Sequence, residues 1–222
     1  MHPGMGVWTD SDLPIDFGMN AFLVVDVQND FLPGGALAVP DGDQVIPIVN
    51  RLVECFALVL ATQDWHPANH GSFAANHPNR RPGEMIDLNG IRQILWPVHC
   101  VQGSPGAAFS AQLRTERISN VFRKGVDPGI DSYSGFFDNG RKRSTGLAEY
   151  LRDRNVDELF ICGLATDYCV KFSSFDSIGS GIRTHVIEDA CRGVDLKPGD
   201  SAAAIAALRD AGVSIVESTG LC

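Results

Sequence analysis

Short apolar runs alternate along this chain with longer segments of helical pattern, and that alternation restricts the fold more than any other feature. The runs lie near residues 21–27, 57–62, 120–124, 158–163, 184–188 and 213–217, and the helical patterns near 43–55, 144–154, 167–179 and 200–211. A strand covered on both faces reads as a continuous apolar run, and two parallel strands need a crossover between them, usually a helix. The predicted architecture is therefore α/β: three layers, α/β/α, around a mainly parallel, doubly wound central sheet of about six strands. The last helix is punctuated by Asp200 as its N-cap and Gly212 as its stop.

At 222 residues the chain has room for one domain with a sizeable core. We expect that domain over 20–222, with 1–19 as a loosely ordered arm rich in Pro, Gly and acidic residues. Between the second and third runs, Gln63 to Ser119 is rich in Pro, Asn, Gly and His, with a weak helical pattern only near 107–115. A loop of that length in a compact domain is usually functional or disordered, and its aromatics and histidines favour function.

Charge and cysteine usage narrow the partners. A formal net charge of -9 opposes a nucleic-acid partner, because phosphate binding needs a cationic surface. The apolar runs fall far short of the roughly 20 residues that cross a bilayer, so no membrane partner is expected. Met1 to Gly18 has no basic start and no continuous apolar stretch, which reads as a cytoplasmic protein without a signal peptide. The six cysteines show no metal or redox spacing, and the chain is too large to need disulfides. Cys55, Cys162 and Cys191 read as small core residues, and Cys222 is uninformative. A homo-oligomer is left open.

Cys169 lies where the run Leu159-Phe160-Ile161-Cys162 gives way to a helical pattern. The unpaired N–H groups of a first helical turn lower a thiol's pKa and can hold an oxyanion. Asp26 and Lys124 sit at two other strand ends, and ligands of open parallel sheets bind outside such ends. Hydrolysis of a carboxamide needs a nucleophile, a group that accepts and returns a proton, and an oxyanion site. Cys169 would be the first and Asp26 the second, with Lys124 pairing with Asp26; the N–H groups of Ala165 and Cys169 would be the third. The alternative for Asp26 and Lys124 is a buried ion pair that fixes topology. Asp167 is expected to stabilise the helix N-terminus.

Asp64 and His66, two apart on an extended segment, can face one ion, and His99 across the loop would complete a two-His, one-carboxylate set with open positions; for Asp64 and His66 alone the alternative is solvated surface residues, and the family likeness given below favours metal. That set suits one divalent ion: Zn is expected, with Fe and Mn open. Phe31, Trp96 and Tyr133 flank the reactive stretches and could clamp a flat ring, with core packing as the alternative for each.

The segments Val25-Asp26-Val27-Gln28-Asn29-Asp30-Phe31, Gln63-Asp64-Trp65-His66-Pro67-Ala68-Asn69-His70, Trp96-Pro97-Val98-His99-Cys100, Phe122-Arg123-Lys124-Gly125 and Gly163-Leu164-Ala165-Thr166-Asp167-Tyr168-Cys169-Val170 resemble the nicotinamidase branch of the isochorismatase-like cysteine hydrolases. The likeness runs from about residue 20 to 217, in the family's order. It implies the isochorismatase-like hydrolase fold, an Asp26–Lys124–Cys169 triad, a cis peptide between Leu164 and Ala165, and Phe31 and Trp96 in the pocket. It also implies His70 as an extra metal ligand or a neighbour of the ligands. The activity implied is hydrolysis of nicotinamide, and of pyrazinamide, through a thioester. Two other readings stay open: an amidase of the same scaffold acting on a carbamoyl or ureido substrate, and a non-catalytic metal-binding or interaction domain.

Overall fold

The run Ala21-Phe22-Leu23-Val24-Val25 is completely buried and forms the inner part of the first strand, β1 (Met19–Val25). The computed structural model describes residues 19–222. After β1 follow α1 (Val45–Leu52), β2 (Val59–Asp64), β3 (Met85–Leu88), β4 (Ile91–Ile94), β5 (Asn120–Lys124), α2 (Leu147–Arg152), β6 (Val156–Leu164), α3 (Lys171–Gly179), β7 (Arg183–Arg192), α4 (Asp200–Asp210) and β8 (Ser214–Val216). Six of the strands form one sheet in the order β5-β2-β1-β6-β7-β8, and every pairing in it is parallel. Helices flank this sheet as the alternation of runs predicts.

The connection from β1 leads one way, to β2, and that from β6 the other way, to β7, so strand order reverses between the two central strands. Right-handed crossovers then put α1 on one face and α2, α3 and α4 on the other. Burial on both faces explains why β1 and the second half of β6 carry no alternation of polar and apolar residues. At the far end, Gly212 has φ 93° and stops α4 as expected: Val213 N–H donates to Leu208 O at 3.0 Å and Gly212 N–H to Arg209 O at 3.0 Å.

Several expectations need correction. Gly199, with φ 93°, occupies the N-cap of α4, and Asp200 is the helix's first residue. The pattern near 107–115 forms turns instead of a helix. Its carbonyls are engaged sideways: Ala107 O accepts Gln28 Nε2 at 2.8 Å and Gln63 Nε2 at 2.9 Å. The long loop holds an unanticipated antiparallel hairpin, β3 with β4. The helix expected from 167 begins as a π-type turn, Thr166–Val170, and becomes α-helical only at Lys171. Cys55 is exposed rather than in the core and forms a disulfide with Cys222, because the C-terminal tail folds back to the end of α1 with a Cα–Cα separation of 5.5 Å. Of the arm expected over 1–19, only Met19 lies among the described residues, where it opens β1. No described helix is long and apolar enough to cross a membrane.

Candidate active site

The crevice at the reversal of strand order is where an open parallel sheet binds its ligands. Asp26 directly follows β1 in a left-handed conformation, φ 49°, that turns the chain away from the sheet. Asp64 ends β2 and Lys124 ends β5, side by side in register. On the other side Gly163 pairs with Val25, and a Cβ at Gly163 would meet Val25 O at 2.2 Å. Only glycine lets β6 approach that closely before the cis peptide Leu164–Ala165 and the turn that carries Cys169.

These strand ends bring Asp26, Lys124 and Cys169 together. The Lys124 ammonium, completely buried, lies 2.9 Å from Asp26 Oδ2 and 3.3 Å from Cys169 Sγ. It also donates to Ser132 O at 3.2 Å and is ion-paired with Asp64 Oδ1. Asp26 Oδ1 accepts from Thr62 Oγ1 at 2.7 Å. Burial raises the Asp26 pKa above the usual carboxylate range against the pull of Lys124. Burial works against the Lys124 cation, but Asp26, Asp64 and Cys169 outweigh it and keep the ammonium charged. The thiol departs from expectation: burial, with the nearby Asp26 and Asp64 carboxylates, outweighs Lys124 and raises the Cys169 pKa. That direction favours the protonated thiol at Cys169, opposite to the lowering that a helix N-terminus predicts.

Asp64 joins this triad to a second cluster. One carboxylate oxygen meets Lys124; the other, Oδ2, lies 3.5 Å from His66 Nε2 and 3.9 Å from His99 Nε2. The far nitrogens are tied back, His66 Nδ1 to Gly125 O at 2.9 Å and His99 Nδ1 to Pro97 O at 2.8 Å. That arrangement places a hydrogen on each Nδ1 and turns each Nε2 inward, as a metal site requires. Burial works against a His66 cation, but Asp64 outweighs it and raises the His66 pKa. Donor atoms of Asp64, His66 and His99 all lie within 4.8 Å of one another, so the residues fit a divalent ion. Burial and the neighbouring His66 push His99 down to about 4, which keeps its imidazole neutral and able to ligate.

The His70 ring lies 4.4 Å from the His66 ring at a tilt of 49°, with Nδ1 2.7 Å from Ser72 Oγ. Among the described residues its buried Nε2 has no hydrogen-bond partner, and His70 groups with His66 and Asp131 rather than with the Asp64 set. Phe31, Trp96 and Tyr133 line one cleft with Ala165 and Cys169. Asp64, His66 and His99 line it too, and so do Leu37, Asp131, Tyr168 and Val194, which were not anticipated. Tyr168 packs edge-on against Trp96 with ring centroids 4.9 Å apart, and its position beside Cys169 was a signal that could have found it. Asp167 also reaches out of its own turn: Oδ1 accepts from Val194 N–H and Oδ2 from Asp195 N–H, each at 2.9 Å.

The profile of the isochorismatase domain matches residues 20–219. The chain belongs to the isochorismatase family. Within it, this chain is 50% identical over 199 residues to nicotinamidase of Escherichia coli K12, covering 88% of this chain and 93% of that one. The solved Acinetobacter baumanii nicotinamidase/pyrazinamidase is 45% identical with a TM-score of 0.89, over 93% of this isochorismatase-family chain and 100% of the other. A pyrazinamidase of Pyrococcus horikoshii, solved in complex with zinc, is 37% identical with a TM-score of 0.73, over 90% and 99% of the two chains.

Proposed function

We propose that this enzyme is a nicotinamidase, a cysteine amidohydrolase that converts nicotinamide to nicotinate and ammonia and also accepts pyrazinamide. The observation that carries the reading is the buried Lys124 ammonium in contact with Asp26, Asp64 and Cys169 Sγ beside an aromatic cleft. The near relatives' activity, the zinc in one of them and the inward-facing Asp64, His66 and His99 donors support it.

The substrate ring lies among Phe31, Trp96, Tyr133 and Tyr168 with its carboxamide toward Cys169. As sulfur attacks the carbonyl carbon, the thiol proton passes to Asp26, whose carboxylate oxygen and Sγ lie within 4.8 Å of each other. A raised Asp26 pKa makes this carboxylate a better base than a free one, and the buried thiol need not ionise in advance. Lys124 balances the negative charge through both half-reactions. The N–H groups of Ala165 and Cys169 hold the oxyanion on the turn. Asp26 returns the proton to nitrogen as the C–N bond breaks and ammonia leaves, giving a thioester. Water then attacks the thioester, Asp26 takes its proton, and sulfur leaves and is reprotonated.

A divalent ion held by Asp64, His66 and His99, with zinc the leading choice and His70 beside the set, would supply a Lewis-acid contact for the ring nitrogen. The test is ammonia release from nicotinamide and pyrazinamide beside benzamide and N-carbamoyl amino acids. Release confined to the azine carboxamides is expected. Preference for the carbamoyl compounds would sink the reading in favour of another amidase.

A further inference from the structure

Three consecutive residues of the Thr166–Val170 turn face the cleft by different routes. Cys169 and Tyr168 line it directly. Asp167 reaches it through the segment after β7: its two carboxylate oxygens take the adjacent Val194 and Asp195 N–H groups, each at 2.9 Å, and Val194 is a wall of the cleft. The segment is pinned again on its far side. Asp195, in a left-handed conformation with φ 48°, accepts from Ser201 N–H and Ser201 Oγ, both at 2.8 Å. It is also closely packed, since a Cβ on Gly193 would lie 1.7 Å from Ser201 Oγ and 3.2 Å from Asp167 Oδ1. A carboxylate is the one short side chain that offers an acceptor to each of two neighbouring N–H groups; an amide in its place would turn an NH2 toward one of them.

We propose that Asp167 is a positioning residue that sets ring selectivity by holding Val194 as a fixed wall of the substrate cleft. The proposal rests on the nicotinamidase reading and goes beyond it. Asp167 transfers no proton in this scheme. It couples the turn that carries Cys169 to the Val194 wall, so the ring would be held by a segment tied to the element that delivers sulfur. Releasing the strap should let the cleft accept ring substituents that the native wall rejects, at the expense of affinity for the unsubstituted ring.

The experiment compares the wild type with Asp167→Asn, Val194→Ala and the double variant. It uses nicotinamide and its 4-, 5- and 6-methyl derivatives, with the rate of Cys169 alkylation by iodoacetamide as a readout of the nucleophile. Asp167→Asn is expected to raise KM for nicotinamide about tenfold with kcat within about threefold and alkylation unchanged. For at least one methyl position, the ratio of kcat/KM to that of nicotinamide should rise about tenfold. Val194→Ala should favour the same position, and the double variant should shift it little further. Val194→Leu, which only adds bulk, should move the ratio the opposite way and keeps the test alive if Asp167→Asn does not fold.

A fall in kcat with KM and methyl ratios unmoved would overturn the proposal and put Asp167 to work on the nucleophile turn alone. Shifts that multiply in the double variant would overturn it as well. Absence of nicotinamide turnover by the wild type would overturn the function reading and this inference with it. Turnover with unmoved ratios would overturn only the inference.

Discussion

The strand ends and the long loop after β2 build two parts of one cleft by different means. Asp26, Asp64 and Lys124 sit where parallel strands stop, so sheet register alone brings Asp64 beside Lys124. His99 and Trp96 come from the loop, where position depends on scattered ties: His99 Nδ1 on Pro97 O at 2.8 Å, and Trp96 N–H on Ser72 O at 2.8 Å. Register is a property of the whole sheet and resists local change; a loop tie is local and yields singly. On the proposed reading, the charged chemistry would occupy the strand-end side, and the metal ligand His99 with the ring-facing Trp96 the side that substitution can tune.

The largest effects should fall on the strand ends. Cys169→Ala and Asp26→Asn are each expected to cut turnover by at least about 10³-fold. The two differ in a second readout, because Asp26 is one of the groups that raise the Cys169 pKa. Removing its charge lowers that pKa, so the thiolate fraction at neutral pH increases and alkylation of Cys169 by iodoacetamide speeds up even as amide hydrolysis is lost. In the wild type alkylation should keep rising with pH through 9, without a plateau near neutrality. A neutral-pH plateau would show a preformed thiolate and remove the need for Asp26 as proton acceptor.

Lys124 tests whether the two sides are separable. Its ammonium touches the Asp26 carboxylate at 2.9 Å and Cys169 Sγ at 3.3 Å, and it is paired with Asp64. Lys124→Met should therefore cost nearly as much as Asp26→Asn, and the double variant little more, since groups that act as a unit are non-additive. Lys124→Met should also weaken metal retention, because it strips Asp64 of the cation that holds its carboxyl ionised. Multiplicative losses in turnover, with metal content unchanged, would make the two sides independent.

How much of this was legible in sequence follows the same division. The apolar runs carried the strands, and the residues that end or follow them carried Asp26, Asp64, Lys124 and Cys169 to the crevice, because a parallel sheet aligns its carboxyl ends. Asp64 and His66 were legible as a pair, since a two-residue spacing survives in any extended segment. The shared role of Asp64 between triad and histidines was not, as it depends on which oxygen faces which neighbour. Val194 and Asp131 were invisible for another reason: each reaches the cleft from a segment without periodicity, placed by a bond that Val194 N–H donates to Asp167 and one that Asp131 accepts from Gln93, spanning 27 and 38 residues. The thiol pKa was misread because local turn geometry was weighed and burial was not.

On the loop side a smaller effect is expected from His99. His99→Ala, which removes a ligand, should weaken metal retention by more than the roughly 10–100-fold that losing a ligand's supporting partner costs. It should narrow the preference for nicotinamide over benzamide, which lacks the ring nitrogen, while Cys169 alkylation stays at the wild-type rate. Removal of the ion from the wild type by a chelator, verified by elemental analysis, should narrow the same ratio. An unchanged preference in metal-free enzyme would transfer ring recognition to the aromatic walls.

The smallest effect should come from Tyr133, where the two sides meet. Its hydroxyl accepts from Gln93 Nε2 at 3.0 Å and from Trp96 Nε1 at 3.3 Å, joining the segment after β5 to the loop. Gln93 keeps Asp131 Oδ2 at 2.9 Å and Ile94 O at 2.8 Å as acceptors if that hydroxyl is lost, so Trp96 Nε1 is the donor left unpaired. One such loss costs about 1 kcal/mol. Tyr133→Phe should therefore raise KM for nicotinamide by about threefold to tenfold and leave kcat nearly unchanged. The sign with pH is also fixed. Burial and the nearby Asp131 carboxylate hold the phenol's pKa well above 10.0, so it stays neutral and accepting throughout the range in which the enzyme can be assayed. The ratio of wild-type to variant KM should accordingly be flat from about pH 6 to pH 9. A ratio that collapses toward the alkaline end would mean that the phenol ionises within reach of substrate. Tyr133 would then belong with the charged strand-end groups, and the division between a rigid chemical side and a tunable recognition side would fail at the residue that joins them.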